Sequence, residues 1–214
     1  TVNDVTIDLM RRKLKDKRDT ILEGEFLRMR CATHILNLVV NEGLKKLGDC
    51  ISNIRNAVKF VRSSPQRMAR FKECIKCEKI QCTKTVCVDV QTRWNFTYLM
   101  MSAAEKYEKA FTRLGEEDGN PFVVPSYDEW KNAREFVKFL KPFYEATLKF
   151  SSSTHVTSNS YFLQLCIIIK TLADGCMSCN PIISVVSWDM KKKYEKYWGT
   201  MERINLLLYI AHVL

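Results

Sequence analysis

The spacing of apolar residues in the second half of the chain is the feature that most constrains the fold. Over 98–114 and again over 130–144, apolar residues recur at intervals of three and four, the period of one helix face. Ser126 followed by Glu129 has the form of a capping box, which begins a helix. The same spacing predicts three further helices, over about 158–173, over about 183–198 and from a cap at Thr200. Residues 98–214 are therefore predicted to be almost wholly helical.

The first half of the chain combines a helical pattern with strand-like segments. Apolar residues at intervals of three and four over 44–61 predict a helix that ends at the Ser-Ser-Pro sequence of 63–65. Segment 84–90 alternates, with Val86, Val88 and Val90 on one face and Cys87 and Asp89 on the other, as in a strand. Another short strand is predicted over 25–31, leading into a helix that starts at about Ala32. The predicted fold class is mostly α with few strands.

The charge of the chain is unevenly distributed. Residues 1–100 hold 20 Lys and Arg against 11 Asp and Glu, a net +9 of the total +10, whereas residues 101–214 carry +1. A concentration of basic residues favours a partner rich in phosphates. Hydrophobic residues make up 46% of the 214 residues, with 7 Gly and 5 Pro, which excludes an intrinsically disordered chain.

The nine cysteines predict reduced thiols in an intracellular protein rather than a disulfide scaffold. No signal peptide opens the sequence, and no apolar run is long enough to cross a membrane. A zinc site is an alternative, because six cysteines stand in metal-like spacings: Cys74, Cys77, Cys82, Cys87, Cys176 and Cys179. No turn glycine accompanies them, so structural thiols are the favoured interpretation and no metal is assigned.

Two short segments carry the chemistry of the first half. Cys31 and His34 are three residues apart, so on a helix both side chains lie on one face. A buried thiol and a hydrogen-bonded imidazole are the simpler explanation, and a cysteine nucleophile lacks an Asn or Asp to orient the histidine. Arg93 can hold a phosphate with two hydrogen bonds, and Trp94 can stack on an unpaired base. The alternative is that Trp94 anchors the core and Arg93 is a solvated neighbour.

Six stretches, in this order along the chain, resemble the hAT superfamily of transposases, in particular plant members and their domesticated RICESLEEPER-type zinc finger BED relatives. They are Asn3-Asp4-Val5 and residues 30–44, 63–74, 88–101, 139–151 and 190–198. The resemblance implies a partial RNase H-like core over 1–97, followed by a helical insertion domain over 98–214. Such transposases cleave DNA with two Asp and one Glu that bind two divalent metal ions.

The resemblance also implies site residues. Cys31 and His34 match the family's CxxH signature beside the active site. Arg93 and Trp94 match its Arg-Trp motif, with Trp94 implied to stack on a flipped base. Two further cations in matching stretches, Arg30 and Arg67, are expected to contact DNA. The second catalytic acid is Asp89 or Glu42, and Glu42 replaces an Asp common in relatives.

The first catalytic Asp and the last Glu of the family are expected to fall before and after this chain. We therefore expect no complete enzyme and no cofactor here, with Mg²⁺ required only by a complete transposase. The predicted function is DNA binding in the nucleus, without a membrane, by part of a hAT transposase or a domesticated descendant. A homodimer is expected through a C-terminal region outside this chain. The alternative function is a helical module that binds other proteins.

Overall fold

The computed structural model describes residues 2–16, 30–90, 92–117, 119, 122–151, 158–200 and 204–213, and these residues are almost entirely helical. The helices are α1 (Val2–Asp16), α2 (Ala32–Leu44), α3 (Gly48–Arg62), α4 (Pro65–Cys77), α5 (Trp94–Ala104), α6 (Glu108–Glu117), α7 (Tyr127–Phe150), α8 (Ser158–Cys176), α9 (Pro181–Trp198) and α10 (Leu206–Val213). Short 3₁₀ turns, Lys45–Leu47 and Glu105–Tyr107, join α2 to α3 and α5 to α6. The mostly α fold class is confirmed. None of the described helices is both long and apolar enough to cross a membrane.

Helix boundaries follow local chemistry where the sequence carries a cap. Ser126 and Glu129 form the predicted capping box: the Ser126 N–H donates to the Glu129 carboxylate at 2.7 Å, and the Glu129 N–H donates to the Ser126 hydroxyl at 3.3 Å. Ser64 caps α4 in the same way by accepting from the Arg67 N–H. The predicted cap at Thr200 is wrong, because the last helix begins at Leu206.

The strand predicted over 84–90 is not formed. The segment is extended, but it pairs with no other strand in the part of the chain that the structure describes. The predicted faces are also wrong: Val86 is buried, but Val88 and Val90 point outward while Asp89 is buried. Most of the other predicted strand, 25–31, lies outside the described residues; Cys31 itself precedes α2 without pairing in a sheet.

Side-chain hydrogen bonds hold the extended segment in place of a sheet. The buried Tyr107 hydroxyl donates to the backbone carbonyl oxygens of Cys82, at 3.1 Å, and of Lys84. At the other end, Arg55 of α3 donates to the Asp89 carboxylate. The Tyr107 contact satisfies a backbone carbonyl of the segment, that of Lys84, and the Arg55 contact ties the Asp89 side chain to α3, so the segment is held by helices.

A continuous hydrophobic core joins the two halves of the chain. The largest fully buried side chains come from both halves: Trp94, Trp130, Phe71, Phe111, Phe136, Phe143, Leu36, Leu47, Ile54, Met100, Met101 and Leu114. Helix α9 packs against both α2 and α8. The close approach of α2 and α9 depends on Gly43, where a Cβ would lie 2.7 Å from the Met190 side chain. The predicted domain boundary between residues 97 and 98 falls inside α5. The division into an RNase H-like part and a helical insertion domain stays a prediction.

Candidate nucleic-acid interface

A surface cleft of about 440 Å³ brings the two predicted motifs together. Its walls come from the start of α2, from the segment leading into α5 and from the end of α7. The lining residues are Cys31, Thr33, His34, Asn37, Thr92, Arg93, Trp94, Asn95, Phe96 and Thr147. Four of these ten residues are the predicted CxxH and Arg-Trp pairs, which lie about sixty residues apart in sequence. We call this site the CxxH/Arg-Trp cleft.

Two helices begin at this cleft without a side-chain cap. Cys31 is the N-cap of α2, Arg93 is the N-cap of α5, and neither side chain accepts a hydrogen bond from its own first turn. The first turns of both helices contain no acidic residue. The free N–H groups and the partial positive charge at a helix N-terminus attract anions. Two such helix ends line one cleft, and Arg93, the N-cap of α5, adds a guanidinium to the same cleft. This combination favours the binding of a phosphate group.

The rim of the cleft is accessible and polar. Cys31, His34 and Arg93 are exposed, so solvent and a ligand can reach all three. The hydroxyl groups of Thr33 and Ser151 lie 3.3 Å apart, which ties the start of α2 to the end of α7. This contact holds the cleft wall across 118 residues of sequence.

Five polar residues that line the cleft were missed by sequence reasoning: Thr33, Asn37, Thr92, Asn95 and Thr147. The Asn95 side-chain oxygen is buried and accepts no hydrogen bond from a described residue. Thr147 contributes from α7, where its hydroxyl donates to the Phe143 carbonyl at 2.9 Å. Asn95 could have been found because it directly follows the Arg-Trp pair. Thr147 carries no local signal, because only the packing of α7 brings it to the cleft.

Trp94 borders the cleft, but it belongs to the core. Its side chain is 2% exposed, and its ring packs edge-on against Tyr98 with 6.5 Å between centroids. Tyr98 in turn stacks on Tyr144 of α7 at 4.6 Å. The ring faces are therefore covered in this conformation, and a base could stack on Trp94 only if the ring left the core. The structure corresponds to the alternative interpretation, a core anchor.

The two candidate catalytic acids do not meet at the cleft. Asp89 accepts from Arg55 Nε at 2.9 Å and from the Thr97 hydroxyl at 3.1 Å, and its side chain is 1% exposed. Glu42 accepts from Lys193 and Lys45, and these hydrogen bonds lower the pKa of the Glu42 carboxyl. Glu42 follows His34 by eight residues of α2, about 12 Å along the helix. Asp89 is thus paired with Arg55, and Glu42 with both Lys193 and Lys45.

These donor sets do not fit a divalent metal ion. Metal ions of this kind require converging oxygen ligands, and a guanidinium or ammonium against each carboxylate opposes them. Within the described ranges, no three or more His, Cys, Asp or Glu side chains converge as a metal site. The cysteines considered for zinc are free thiols here, and buried Cys74 contacts Glu117 at 3.7 Å.

The two additional arginines occupy different surfaces. Arg30 directly precedes the cleft residue Cys31, and its guanidinium lies 5.4 Å from the centroid of the Tyr197 ring on α9. Arg67 lies on α4, where it packs over the Phe60 ring at 4.1 Å and donates to the Ser63 hydroxyl at 2.6 Å. Neither Arg30 nor Arg67 is among the residues that line the cleft.

Comparison with known proteins identifies the family. The family described as the ZBED1 RNase-like helical domain matches residues 29–139, more than half of the chain. A second family, described as the hAT-like transposase with an RNase-H fold, matches residues 159–214. The chain belongs to the hAT transposase family. This assignment confirms the resemblance seen in the six stretches, and the protein is derived from a transposase.

Similar proteins of the hAT family occur in several plants. Zinc finger BED domain-containing protein RICESLEEPER 2 of Oryza sativa subsp. japonica is 34% identical over 212 residues, covering 99% of this chain and 29% of the relative. The putative AC transposase of Zea mays is 33% identical over 204 residues, covering 92% and 25%. Zinc finger BED domain-containing protein DAYSLEEPER of Arabidopsis thaliana is 28% identical over 192 residues, covering 90% and 28%. The chain thus spans less than a third of these relatives. No solved structure matches it.

Proposed function

We propose that this hAT chain is a DNA-binding part of a transposase or of a domesticated descendant, and that the CxxH/Arg-Trp cleft holds a DNA phosphate. The convergence of two uncapped helix N-termini with Arg93 carries the proposal. The exposed guanidinium can form paired hydrogen bonds to phosphate oxygens, and the free N–H groups add further donors. His34 can donate a hydrogen bond from its ring at the same rim.

The local shape of the cleft favours distorted DNA over a straight duplex. A recess lined by the ends of three helices can accept a phosphate that projects from a hairpin tip or a flap. A regular duplex also presents phosphates on its outer edge, but its bases stay stacked and cannot reach an aromatic ring beside the recess. The exposed Phe96 ring at the same cleft, rather than the buried Trp94, is the aromatic surface available to an unpaired base.

Strand cleavage is not proposed for this chain alone. Two-metal cleavage needs carboxylates that converge on metal ions, and Asp89 and Glu42 each bind a cation of the protein instead. Any role for Mg²⁺ belongs to a longer protein that supplies other acids. We further propose a nuclear location for such a protein, because its DNA partner is there. We also propose that it forms a homodimer through the expected C-terminal region.

Fluorescence anisotropy with a labelled DNA hairpin, measured between about 50 and 200 mM salt, tests the proposed function. Wild type should bind the hairpin more tightly than a blunt duplex of equal length, and its affinity should fall steeply with salt. Arg93→Ala should remove most of the hairpin preference and reduce the salt slope by about 0.9, the contribution of one phosphate contact. Lys138→Ala, at an exposed position of α7 outside the cleft, is the control for loss of one positive charge.

Two outcomes would contradict the proposal. One is binding that does not respond to salt. The other is that Arg93→Ala keeps the preference of wild type for the hairpin over the blunt duplex and cannot be distinguished from the control Lys138→Ala. Either result would favour the alternative function, a helical module for protein partners. Circular dichroism of both variants should be the same as that of wild type, because Arg93 and Lys138 are exposed and leave the core unchanged.

A further inference from the structure

Half of the net charge of the chain lies in one helical hairpin remote from the cleft in sequence. Residues 59–79 contain seven Lys and Arg against two acidic residues, a net +5 of the total +10. The segment covers the last turn of α3, all of α4 and the turn that follows. We call its outward side the α4 basic face.

All seven cations of the α4 basic face are exposed: Lys59, Arg62, Arg67, Arg70, Lys72, Lys76 and Lys79. Of the two acids, Glu78 is already bound by Arg113 of α6 at 3.0 Å. Within residues 59–79, only Glu73 then remains to offset the seven cations. The excess positive charge is presented to solvent, where a polyanion can reach it.

The exposed cations are distributed over the end of α3, the junction of the two helices and the outer side of α4. Arg67 lies over the Phe60 ring of α3 and donates to Ser63, which places its guanidinium at the junction of the two helices. Lys72 and Lys76 follow on α4 at a spacing of four, so they are neighbours on one side of the helix. The 13 residues of α4 span about 20 Å. The charges are therefore spread along about 20 Å of the helix, with Lys72 and Lys76 on its outer side.

We propose that the α4 basic face is a second DNA contact, which binds the phosphate backbone of duplex DNA independently of the cleft. Duplex DNA presents one negative charge per about 1.7 Å of axis, so charges spread along about 20 Å face many phosphates. The exposed residues of α4 include no aromatic side chain on which an unpaired base could stack. This composition favours backbone contact with a duplex over binding of single strands.

The α4 basic face is distinct from the cleft in composition and in role. None of its seven cations lines the cleft. Contacts to phosphates fix position and affinity without reading sequence, whereas the cleft is proposed to recognise a distorted end. This inference rests on the proposed function to the extent that both take DNA as the partner.

The decisive variant is Lys72→Gln combined with Lys76→Gln, measured with a blunt DNA duplex across a salt series. Loss of two phosphate contacts should reduce the slope of log affinity against log salt by about 1.8. Lys131→Gln combined with Lys138→Gln removes the same charge from an exposed side of α7, and it should leave the slope near that of wild type. Both double variants keep the core, so their thermal unfolding should match wild type.

The hairpin preference separates failure of this inference from failure of the proposed function. The Lys72 and Lys76 variant should weaken hairpin and duplex binding equally, leaving their affinity ratio unchanged, because the cleft is intact. If that variant has the duplex slope of wild type, or if the α7 control loses as much, the α4 basic face is not a DNA contact. The inference would also be overturned if the Lys72 and Lys76 variant lost affinity for an RNA duplex but kept its affinity for a DNA duplex. If wild type binds no DNA, the proposed function fails first.

Discussion

Arg55 and Asp89 form a buried ion pair that anchors the approach to the CxxH/Arg-Trp cleft. The Arg55 Nε lies 2.9 Å from Asp89 Oδ2, with the two side chains 15% and 1% exposed. Thr97 donates to the same carboxylate oxygen at 3.1 Å, so Asp89 links α3 to α5. The other oxygen, Oδ1, is buried and accepts from no described residue. The geometry makes Asp89 a structural acid that fixes the chain just before Arg93.

Arg55→Ala should lower the free energy of unfolding by about 3–5 kcal/mol, because it leaves the Asp89 charge buried without its cation. Urea denaturation followed by circular dichroism measures this loss. Arg62→Ala, at an exposed position of the same helix, should change stability by less than about 0.5 kcal/mol. An Arg55→Ala effect as small as that of Arg62→Ala would mean that water already reaches Asp89.

Trp94→Ala should destabilise the protein by about 3–5 kcal/mol, because it removes a fully buried ring from the core. Thermal unfolding measures the loss. Trp94→Phe keeps an aromatic ring against Tyr98 and should cost less. If Trp94→Ala were as stable as wild type and lost only hairpin binding, the ring would act on DNA rather than in the core. That outcome would restore the base-stacking role implied by the family.

Gly43→Ala should destabilise the contact of α2 with α9. The new Cβ would lie 2.7 Å from Met190 Sδ and 2.8 Å from Val186 Cγ1, and overpacking of this kind costs about 1–3 kcal/mol. Gly48→Ala is the matched control, because no atom lies within 4 Å of its Cβ position. Since Gly48 has helical dihedral angles, alanine there should stabilise by about 0.4–1 kcal/mol. Opposite shifts in melting temperature are expected, and equal shifts would contradict the close approach.

Cys74 should react with thiol reagents far more slowly than Cys77, one turn along α4. Burial, followed by the charge of Glu117, raises the pKa of the Cys74 thiol from 9.0 to about 11. At neutral pH this leaves about one hundredth of the usual thiolate, the form that reacts. Cys77 is exposed. Mass spectrometry after brief alkylation of the native protein measures both sites, and equal labelling would contradict the burial of Cys74.

The same raised pKa predicts a loss of stability in alkali. Below pH 9 the Cys74 thiol holds its proton in the folded and the unfolded chain, so its contribution to stability is fully present. As the pH rises from about 9 towards 11, the unfolded chain releases the proton more readily, and the folded state becomes less stable. Cys74→Ala should flatten this alkaline decline in urea titrations. The decline would persist unchanged if other groups caused it.

Local patterns in the sequence correctly predicted most of the helices. The apolar stripe over 44–61 is the buried side of α3 from Ile51 to Val61, although its first two residues lie in α2 and in the 3₁₀ turn. Ser126 with Glu129 caps α7 as expected. These features succeed because a helix face and a cap depend on residues three and four apart, which a sequence shows directly. The strand over 84–90 failed because a strand needs a neighbour distant in the chain, and helices and side chains bind this segment instead.

The sequence by itself determined that the chain is a mostly helical hAT protein with basic residues concentrated in its first half. The family resemblance also named Cys31, His34, Arg93 and Trp94 as candidate site residues. Only the tertiary structure decided that these residues line one cleft, that Trp94 is in the core, and that Asp89 is neutralised by Arg55. Those outcomes depend on how α2, α3, α5 and α7 pack. Burial and charge pairing are set by contacts between residues far apart in sequence, which local periodicity does not encode.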